Sequence, residues 1–331
     1  MSQVVLVTGG AGFIGSHVCK ALAEGGAIPV CYDSLEKGHP WAVRGGPLIQ
    51  GDIGDADLIE TTFCQYRPMA VVHLAGYIEV GESVQAPQKY MENNDTKSQI
   101  LIDASLRHRV EAFVFSSTCA VYGTTSAEAI AESQPIAPLN PYAASKANVE
   151  KRLASASRHG LKSASLRYFN AAGSDPNGEI GESHEPETHL IPLACDAALG
   201  LRSALTLHGN DYPTPDGSCV RDFVHVCDLA DAHIQAIRWL KTTMGGAQHS
   251  PFNIGTGEGY SVLQVLDQTN RIAGKPVPYV IGPRRSGDAP RLVADATRAK
   301  SVLGWRPNHS LASQIESSLR WRIARERNYN A

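Results

Sequence analysis

A glycine-rich segment near the N-terminus constrains the fold more than any other part of the chain. An apolar run at residues 4–7 leads into TGGAGFIGSH at residues 8–17, and a helical pattern begins within that segment. Gly9 and Gly12 allow the backbone to turn sharply and approach a pyrophosphate, and Gly15 allows the helix to pack closely on the strand. The first turn of such a helix offers free amide groups to an anion. The segment therefore predicts the start of a dinucleotide-binding fold.

An acidic residue supports this interpretation and selects the cofactor. Asp33 lies at the end of a second apolar run, eighteen residues beyond Gly15. A carboxylate there can accept hydrogen bonds from the adenosine ribose diol and would repel a 2′-phosphate, which favours NAD over NADP. Asp52 and Ile53, which follow the third apolar run, are candidates for covering the adenine. Without this context, the glycines would indicate only a structural turn.

Apolar runs alternate with helical patterns through the first half of the chain. The predicted strands are 4–7, 28–32, 48–50, 70–74, 113–116 and 163–168, and the predicted helices are 16–24, 58–66, 88–108 and 141–159. Strands that are apolar throughout and separated by helices form a parallel sheet covered on both faces. The carboxyl ends of such strands hold ligands, which makes Leu74, Ala75 and Gly76 candidate cofactor residues.

After residue 170, the regular alternation of apolar runs and helical patterns ends. Predicted loops cover 171–187 and 209–218, strands follow at 223–226 and 252–254, and a final helix covers 311–325. Asp228 and Ser261 are predicted N-caps of two further helices. We expect an α/β fold, namely a Rossmann-type doubly wound parallel sheet with a smaller C-terminal α/β substrate domain. The predicted cofactor domain is 1–170, with 221–254 returning to it, and 171–331 forms the interleaved substrate domain.

Composition excludes several classes of function. The 331 residues carry 30 basic and 33 acidic side chains, so no basic field is available to hold nucleic acid. Apolar runs are far shorter than the roughly 18 residues of a membrane helix, and residues 1–10 lack a basic leader. Seven cysteines without a Cys-x-x-Cys pair favour reduced thiols and a cytoplasmic location. Twelve histidines without His-x-x-x-His spacing predict no metal site.

Tyr142 and Lys146 form the second informative pattern, because their i,i+4 spacing places them on one face of the predicted helix. A phenolate base at pH 7 needs a pKa shift of about three units, or roughly 4 kcal/mol. Lys146 and a positive nicotinamide ring can supply it. The hydroxyl groups of Ser116 and Thr118 lie at a predicted strand end, where one can pass a proton between a substrate and Tyr142. In isolation, the pair would indicate only the surface of an amphipathic helix.

With these motifs, the chain resembles the extended short-chain dehydrogenase/reductase family, and within it the UDP-sugar 4-epimerases. The resemblance covers residues 3–325. Besides the glycine-rich segment, it is carried by VGESV (80–84), SSTCAVYG (116–123), NPY (140–142), RYFN (167–170), GNDY (209–212) and VRDFVHV (220–226).

The resemblance implies tightly held NAD and 4-epimerisation of UDP-glucose and UDP-galactose through a transient 4-keto sugar. Tyr142 would be the base, Thr118 would bridge it to the 4-hydroxyl, and Lys146 would bind the nicotinamide ribose. Phe13 and Ile14 would present amides to the pyrophosphate. The other implied cofactor residues are Ser34, Gly38, Ile78, Asn93, Ser116 and Phe169. A homodimer that pairs the helices at 88–108 and 141–159 is also implied.

The resemblance also implies a UDP-sugar site. Asn170, His189, Leu190 and Arg221 match positions at the diphosphate and sugar, and Thr206, Leu207 and His208 match the stretch that lines the uracil. Arg285 and Asp288 match a second phosphate and ribose clamp, and two guanidinium groups suit a diphosphate. Arg221 has a simpler alternative, a surface ion pair with Asp222 or Asp228.

Departures from the family pattern concern the range of substrates. Ile78 stands where the best-known enzymes have a lysine near the cofactor, and His208 replaces a usual phenylalanine. Leu292 occupies a position that gates N-acetylated sugars and is intermediate in size. UDP-xylose, UDP-arabinose and UDP-GlcNAc therefore remain open as further substrates.

Three other activities fit parts of the pattern. A dehydratase needs an acid and a base directly after Thr118, where this chain has Cys119 and Ala120. A UDP-glucuronate decarboxylase is excluded less firmly, because it needs only a charged group for the sugar carboxylate. A silent NAD-binding regulator predicts a damaged Tyr/Lys/Thr set, and all three residues are present.

Overall fold

The computed structural model describes residues 3–244, 248–285 and 288–329. The strands, in chain order, are β1 (Val4–Thr8), β2 (Ile28–Asp33), β3 (Leu48–Gln50), β4 (Ala70–His73), β5 (Ala112–Thr118), β6 (Ser163–Tyr168), β7 (Asn170–Ala172), β8 (Leu205–His208), β9 (Val220–Arg221), β10 (Phe223–His225), β11 (His249–Ile254), β12 (Tyr260–Ser261), β13 (Tyr279–Gly282) and β14 (Arg291–Leu292).

The α-helices pack on both faces of the main sheet and in the C-terminal part. They are α1 (Phe13–Glu24), α2 (Ala56–Tyr66), α3 (Val80–Gln85), α4 (Pro87–Tyr90), α5 (Lys97–Arg107), α6 (Pro141–Ala156), α7 (Leu190–Leu199), α8 (Val226–Thr242), α9 (Val262–Ala273) and α10 (Leu311–Tyr329). Short 3₁₀ segments lie at Pro40–Ala42, Cys119–Tyr122 and Ser157–His159, and π-helical turns at Met91–Thr96 and Ala299–Leu303.

A seven-stranded parallel sheet in the order β11-β6-β5-β4-β1-β2-β3 forms the centre of the molecule. Alternate residues of β1 belong to two different core clusters: Val5 and Val7 pack with α1 and α8, whereas Leu6 packs with α2, α5 and α6. Both faces are therefore covered, which explains the continuous apolar strands and confirms the predicted doubly wound sheet. The strand order reverses between β1 and β4, and ligands of such sheets bind outside the carboxyl ends at this point.

Two predicted elements differ in detail. The helix predicted at 88–108 consists of α4, the π-helical turn Met91–Thr96 and α5. The prediction that Asp228 is an N-cap is wrong: α8 begins at Val226, and Nδ1 of His225 accepts a hydrogen bond from the Cys227 amide, 3.1 Å away. Asp228 instead accepts hydrogen bonds from the backbone amide and the ring of His309.

The C-terminal part contains smaller sheets. Strand β8 pairs with β13, β9 pairs with β12 and β14, and β7 pairs with β10. Helices α7, α9 and α10 pack together through an apolar cluster that includes Ile191, Val265 and Ile315. Ser261 caps α9 as expected and forms a full capping box with Gln264. The domain boundaries stay a prediction, and β11 lies beside β6 in the main sheet, within the segment expected to return to it.

Candidate active site

The glycine-rich turn after β1 leaves the start of α1 open. Gly9 has a φ of +72°, and a Cβ there would lie 2.6 Å from the Ala75 backbone nitrogen. A Cβ on Gly15 would lie 2.0 Å from the Gly9 carbonyl oxygen, so the turn and the helix touch backbone to backbone. Gly12 is the N-cap of α1, and no side chain in the described part of the chain caps the helix. The first-turn amides of Phe13 and Ile14 thus face a cradle that fits a dinucleotide pyrophosphate.

The end of β2 holds a carboxylate at the position expected for the ribose. Asp33 is buried, and its two oxygens accept hydrogen bonds from the Ala11 amide at 3.0 Å and the Leu35 amide at 2.9 Å. A Cβ on Gly38 would lie 2.8 Å from Asp33 Oδ1, so the backbone closes directly over this carboxylate. The backbone orients Asp33, and the lone pairs left over can accept from a ribose diol.

The remaining predicted cofactor residues lie along the same edge of the sheet. Leu74 and Ala75 donate their amides to the Thr8 carbonyl, which holds the turn before Gly76 against β1. Ile53 is buried, whereas Asp52 is half exposed and its carboxylate lies 2.6 Å from Lys97 Nζ. The others are Ser34, which accepts from the Glu36 amide, the exposed Ile78, the partly buried Asn93 and the buried Phe169.

The carboxyl end of β5 and the first turns of α6 bring the predicted catalytic residues together. Nζ of Lys146 is buried and donates a hydrogen bond to the Ser116 carbonyl at 2.9 Å. Burial lowers the pKa of Lys146 to about 8. Burial also raises the pKa of Tyr142 to about 12, although the neighbouring Thr118 hydroxyl opposes this rise. The site thus contains two neighbouring hydroxyl groups and one buried amine.

Local sequence sets the position of Tyr142. Asn140 is the N-cap of α6 and accepts a hydrogen bond from the Ala143 amide at 2.9 Å, and Pro141 occupies the first helical position. Ser145 then donates to the Tyr142 carbonyl at 2.7 Å. These contacts begin the helix one residue before Tyr142, so its ring extends from the first turn.

A buried ion pair behind Lys146 escaped the sequence analysis. Glu150 accepts hydrogen bonds from Arg167 on β6 and from Ser117 on β5, and Arg167 also donates to the hydroxyl of Tyr122. Glu150 lies four residues beyond Lys146, so the i,i+4 spacing of Tyr142 and Lys146 continues by one more turn. A glutamate at this spacing was the sequence signal that could have indicated the buried pair. The pair locks α6 to the two central strands.

Asn94 was also missed, and it lies in the π-helical turn. Its side chain bonds to both the amide and the carbonyl of Tyr77, at 2.8 and 2.9 Å, and to the Ser145 hydroxyl at 3.3 Å. Asn94 therefore joins the loop after Gly76 to the helix that carries Lys146. Its neighbour Asn93, the predicted cofactor residue, donates to Asn94 Oδ1 at 3.2 Å.

A cavity of ≈ 440 Å³ opens beyond β6. Most of the predicted substrate residues line it, namely Asn170, His189, Leu190, Thr206, His208, Arg221, Arg285 and Asp288. Leu207 lies between two of these residues on β8, but its side chain is buried on the other face of the strand, because neighbouring residues of a strand point to opposite faces. Leu292, which is partly buried, packs in the cluster around Tyr122. Thr118 is paired with Tyr168, two residues before Asn170, which connects the cavity to the catalytic edge.

The cavity is rich in cations. Asp288 lies between two arginines, 3.5 Å from Arg221 Nη2 and 2.9 Å from Arg285 Nε. The alternative, in which Arg221 forms an ion pair with Asp222 or Asp228, is therefore wrong, because the acidic partner of Arg221 is Asp288. The Asp222 carboxylate is buried and accepts hydrogen bonds from the Gly257 and Ala294 amides, among others.

Arg202 also lines the cavity, and sequence reasoning missed it. It lies in the loop between α7 and β8, outside every motif that carried the family resemblance. With Arg221 and Arg285, it gives the cavity three guanidinium groups, a chemistry suited to a diphosphate.

In the described part of the chain, no helix combines the length and the apolar character needed to span a membrane.

Comparisons with known proteins agree with this architecture. The family described as NAD dependent epimerase/dehydratase matches residues 5–255. A UDP-glucose 4-epimerase from Rhizobium meliloti (strain 1021) is 46% identical over 322 residues, which is 97% of each chain. The crystal structure of UDP-glucose 4-epimerase from Brucella ovis in complex with NAD has a TM-score of 0.92 at 44% identity, covering 96% of this chain and 98% of that one.

A third relative is a UDP-glucose 4-epimerase from Stenotrophomonas maltophila, solved with NAD and formylated UDP-arabinopyranose. It has a TM-score of 0.95 at 35% identity, covering 98% of this chain and 99% of that one. The open phosphate cradle, the oriented Asp33 and the Tyr142–Lys146 helix are features that such a family requires. The chain belongs to the NAD dependent epimerase/dehydratase family.

Proposed function

We propose that the chain is a UDP-glucose 4-epimerase that interconverts UDP-glucose and UDP-galactose with bound NAD. One observation carries the proposal: Thr118, Tyr142 and Lys146 meet at the carboxyl end of β5, between the phosphate cradle and the arginine-lined cavity. The cradle suits a pyrophosphate, the cavity suits a second diphosphate, and the hydroxyl pair lies where the two parts meet.

The chain's own residues handle the proton. When bound, NAD would supply a reversible hydride acceptor for C4 of the sugar, which allows the hydride to return to the opposite face. Tyr142 takes the proton of the 4-hydroxyl as C4 becomes a carbonyl carbon, and it returns that proton when the hydroxyl reforms. Thr118 bridges the sugar hydroxyl and Tyr142 through hydrogen bonds. The product is therefore an isomer of the substrate, and no net oxidation occurs.

Formation of the base needs positive charge close to Tyr142. Because the surrounding protein raises the pKa of Tyr142 to about 12, a phenolate at pH 7 needs a shift of about five units, or roughly 7 kcal/mol. This shift is larger than the three units expected for a free tyrosine. The charged Lys146 and the cationic nicotinamide ring are the groups that would stabilise the phenolate.

The cavity residues would hold the UDP moiety. Arg221, Arg285 and Arg202 would bind the diphosphate, and Asp288 orients two of these arginines. Thr206 and His208 would lie beside the uracil. Side chains that bind only the UDP leave the sugar free to turn about its phosphate link and present either face.

A dehydratase fits the site less well. Burial raises the pKa of Cys119 to about 12, so this thiol stays protonated at neutral pH, and Ala120 carries no proton-transfer group. A decarboxylase remains the nearest alternative, and a silent NAD-binding regulator would need no Thr118–Tyr142 pair. Leu292 leaves UDP-GlcNAc open, and a UDP-pentose is favoured as a second substrate by the Stenotrophomonas maltophila relative.

The assembly and location are also proposals. We expect a cytoplasmic homodimer that pairs the helical segments 88–108 and 141–159. Sedimentation equilibrium of the full chain at micromolar concentration would measure the mass directly. A monomer at these concentrations would contradict the proposed dimer and leave the activity unaffected.

The deciding experiment incubates the purified protein with UDP-glucose, UDP-xylose, UDP-GlcNAc and UDP-glucuronate separately and resolves the products. The expected product from UDP-glucose is UDP-galactose. Tyr142→Phe should lower kcat by about 10²–10⁴-fold, whereas Tyr66→Phe on α2 should keep it. Release of CO₂ from UDP-glucuronate, or formation of one NADH per substrate consumed, would contradict the proposal.

A further inference from the structure

We propose that Glu182, His184, Glu187 and His189 bind a divalent transition-metal ion of the zinc class at the wall of the substrate cavity. The proposal does not depend on the reaction assigned above. It concerns a group of side chains that neither the NAD cradle nor the Tyr142 site uses.

The four side chains converge on one point. One ligand atom from each, an imidazole Nδ1 or a carboxylate oxygen, lies within 4.8 Å of all the others. His189 Nδ1 is 2.6 Å from Glu182 Oε1 and 3.4 Å from Glu187 Oε1, and His184 Nδ1 is 3.1 and 3.9 Å from the same two oxygens. A tetrahedral ion with bonds of about 2.1 Å separates its ligand atoms by about 3.4 Å, which is inside this range.

The imidazoles and carboxylates lie at ion-pair distances from one another, but four of their polar atoms lack hydrogen-bond geometry. Glu182 Oε1, His184 Nδ1, Glu187 Oε2 and His189 Nδ1 are buried, and none of them has a hydrogen-bond partner with acceptable geometry in the described structure. Glu182 is only 3% exposed, so water cannot satisfy its carboxylate from the surface. Short contacts without hydrogen-bond directions are the arrangement expected when all four atoms point at a common centre. Two imidazoles and two carboxylates form a ligand set that suits zinc.

Neighbouring groups orient the ligands. Glu187 Oε1 accepts hydrogen bonds from the Thr188 and His189 amides at 2.8 and 2.9 Å, so the loop backbone orients this carboxylate, and its Oε2 has no hydrogen-bond partner in the described structure. The His184 ring packs edge-on against Phe13 at the start of α1, with ring centroids 6.4 Å apart. His189 is the N-cap residue of α7, and both His189 and Glu187 line the substrate cavity. An ion here would connect the loop before α7 to the cofactor side of the cavity.

Protons are the competing occupants. Burial lowers the pKa values of His184 and His189, but the adjacent carboxylates outweigh it and raise them to about 9 and about 10. Two imidazolium groups would thus balance the two carboxylates, with the same net charge as one divalent ion. Hydrogen-bond geometry distinguishes protons from a metal ion at this site, because a protonated Nδ1 donates in the plane of its ring to one carboxylate oxygen.

A second group of potential ligands provides the comparison. Glu60, Cys64 and His108 also lie within 4.8 Å of one another. Both Glu60 oxygens already accept hydrogen bonds, from Arg107 at 2.9 Å and from His108 at 2.6 Å. Since both Glu60 oxygens are already partnered and the group is only partly buried, it carries no metal proposal and serves as the control.

The sequence predicted no metal site because the chain has no pair of histidines at His-x-x-x-His spacing. His184 and His189 are five residues apart, so they match neither ligand pattern that the sequence analysis tested. The glutamates at 182 and 187 each precede a histidine by two residues. This doubled Glu-x-His spacing was the signal present in the sequence.

The test uses the full chain and Zn²⁺ itself. After chelation and buffer exchange, Zn²⁺ titration followed by elemental analysis should show about one ion per chain and a Tm raised by a few degrees. Co²⁺ in place of Zn²⁺ should produce the visible absorption of a four-coordinate site. Absence of stoichiometric Zn²⁺ and of this absorption in the wild-type chain would overturn the proposal without any variant.

Variants then locate the ion. Glu182→Gln and His184→Gln should each weaken Zn²⁺ binding at least tenfold and remove the rise in Tm, whereas His108→Gln should change neither. Circular dichroism and NAD content would establish that the variants are folded. Equal binding by the wild type and Glu182→Gln, or loss of binding in His108→Gln, would assign the ion elsewhere and refute the site. Failure of the epimerase assay would leave these results unaffected.

Discussion

The two glycines at the start of α1 are expected to fail for different reasons when each is replaced by alanine. In Gly15→Ala, the new methyl carbon would lie 2.0 Å from the Gly9 carbonyl oxygen and 2.8 Å from the Gly10 Cα. Both are backbone atoms, so no side chain can move aside. In Gly12→Ala, the nearest atom would be the Gly9 oxygen at 3.4 Å, an ordinary contact, and the φ of −84° suits alanine.

Two opposing effects determine whether Gly15→Ala raises or lowers the stability of the protein. Alanine is about 1 kcal/mol more favourable than glycine inside a helix. Overpacking costs about 1–3 kcal/mol and more where backbone must shift, so destabilisation by about 2 kcal/mol wins at Gly15. Unfolding entropy of roughly 2.1 cal/mol/K per residue gives about 0.7 kcal/mol/K for the chain, so Tm should fall by about 3 °C. At Gly12, which is the N-cap of α1, the methyl group has room, but alanine is a poorer N-cap than glycine and should cost about 0.5 kcal/mol. The methyl group also stands beside the open amides.

The assay measures the NAD-free chain by thermal melting and NAD binding by calorimetry. Gly15→Ala should lower both the Tm and the affinity for NAD. Gly12→Ala should lower the Tm by less than about 1 °C while NAD binds at least tenfold more weakly. Gly81→Ala is the control, because a Cβ there meets nothing within 4 Å. A Gly15→Ala protein with wild-type Tm and affinity would refute the argument from backbone contact. A fall in the Tm of Gly12→Ala as large as that of Gly15→Ala would show that the role of Gly12 is structural.

Three further predictions concern charged side chains. Burial lowers the pKa of Lys146 to about 8, so the unfolded chain binds more protons than the folded one between pH 8 and about 10.4 and stability rises with pH there. Lys146→Met should therefore stabilise the NAD-free protein by about 3 kcal/mol at pH 7, an advantage that melting curves should show closing by pH 10. Glu150→Gln leaves Arg167 buried without a counter-charge and should cost about 3–5 kcal/mol in urea unfolding; an unchanged midpoint would contradict the role assigned to the pair. Arg202→Ala should raise the KM for the UDP-sugar about tenfold with little change in kcat. Arg158→Ala, on the exposed end of the segment after α6, should leave both constants unchanged.

Much of the cofactor half could be predicted from sequence because its signals are local. The strand, the glycine turn and the first turn of the helix occupy fourteen consecutive residues (4–17), and glycine is needed where backbones touch. The i,i+4 spacing of Tyr142 and Lys146 likewise fixes a shared helix face, whatever the helix packs against. The prediction of an N-cap at Asp228 was wrong because His225, three residues earlier, accepts the hydrogen bond from the first turn of α8.

The substrate half depends on contacts between distant segments, which spacing does not encode. Asp288 was expected to clamp the substrate and proved also to be the partner of Arg221, 67 residues away. The side chain of Leu207 turned inward because the pairing of β8 with β13 decides which face of the strand is covered.

The sequence by itself determined the doubly wound sheet and the choice of NAD, and it supplied the proposed proton-transfer residues, since each follows from neighbours in the chain. Only the tertiary structure decided which charges meet. It placed three arginines around one cavity, buried Glu150 against Arg167, and brought Glu182, His184, Glu187 and His189 to a single point. The physical reason is that electrostatic interactions depend on distance and burial, and folding sets both.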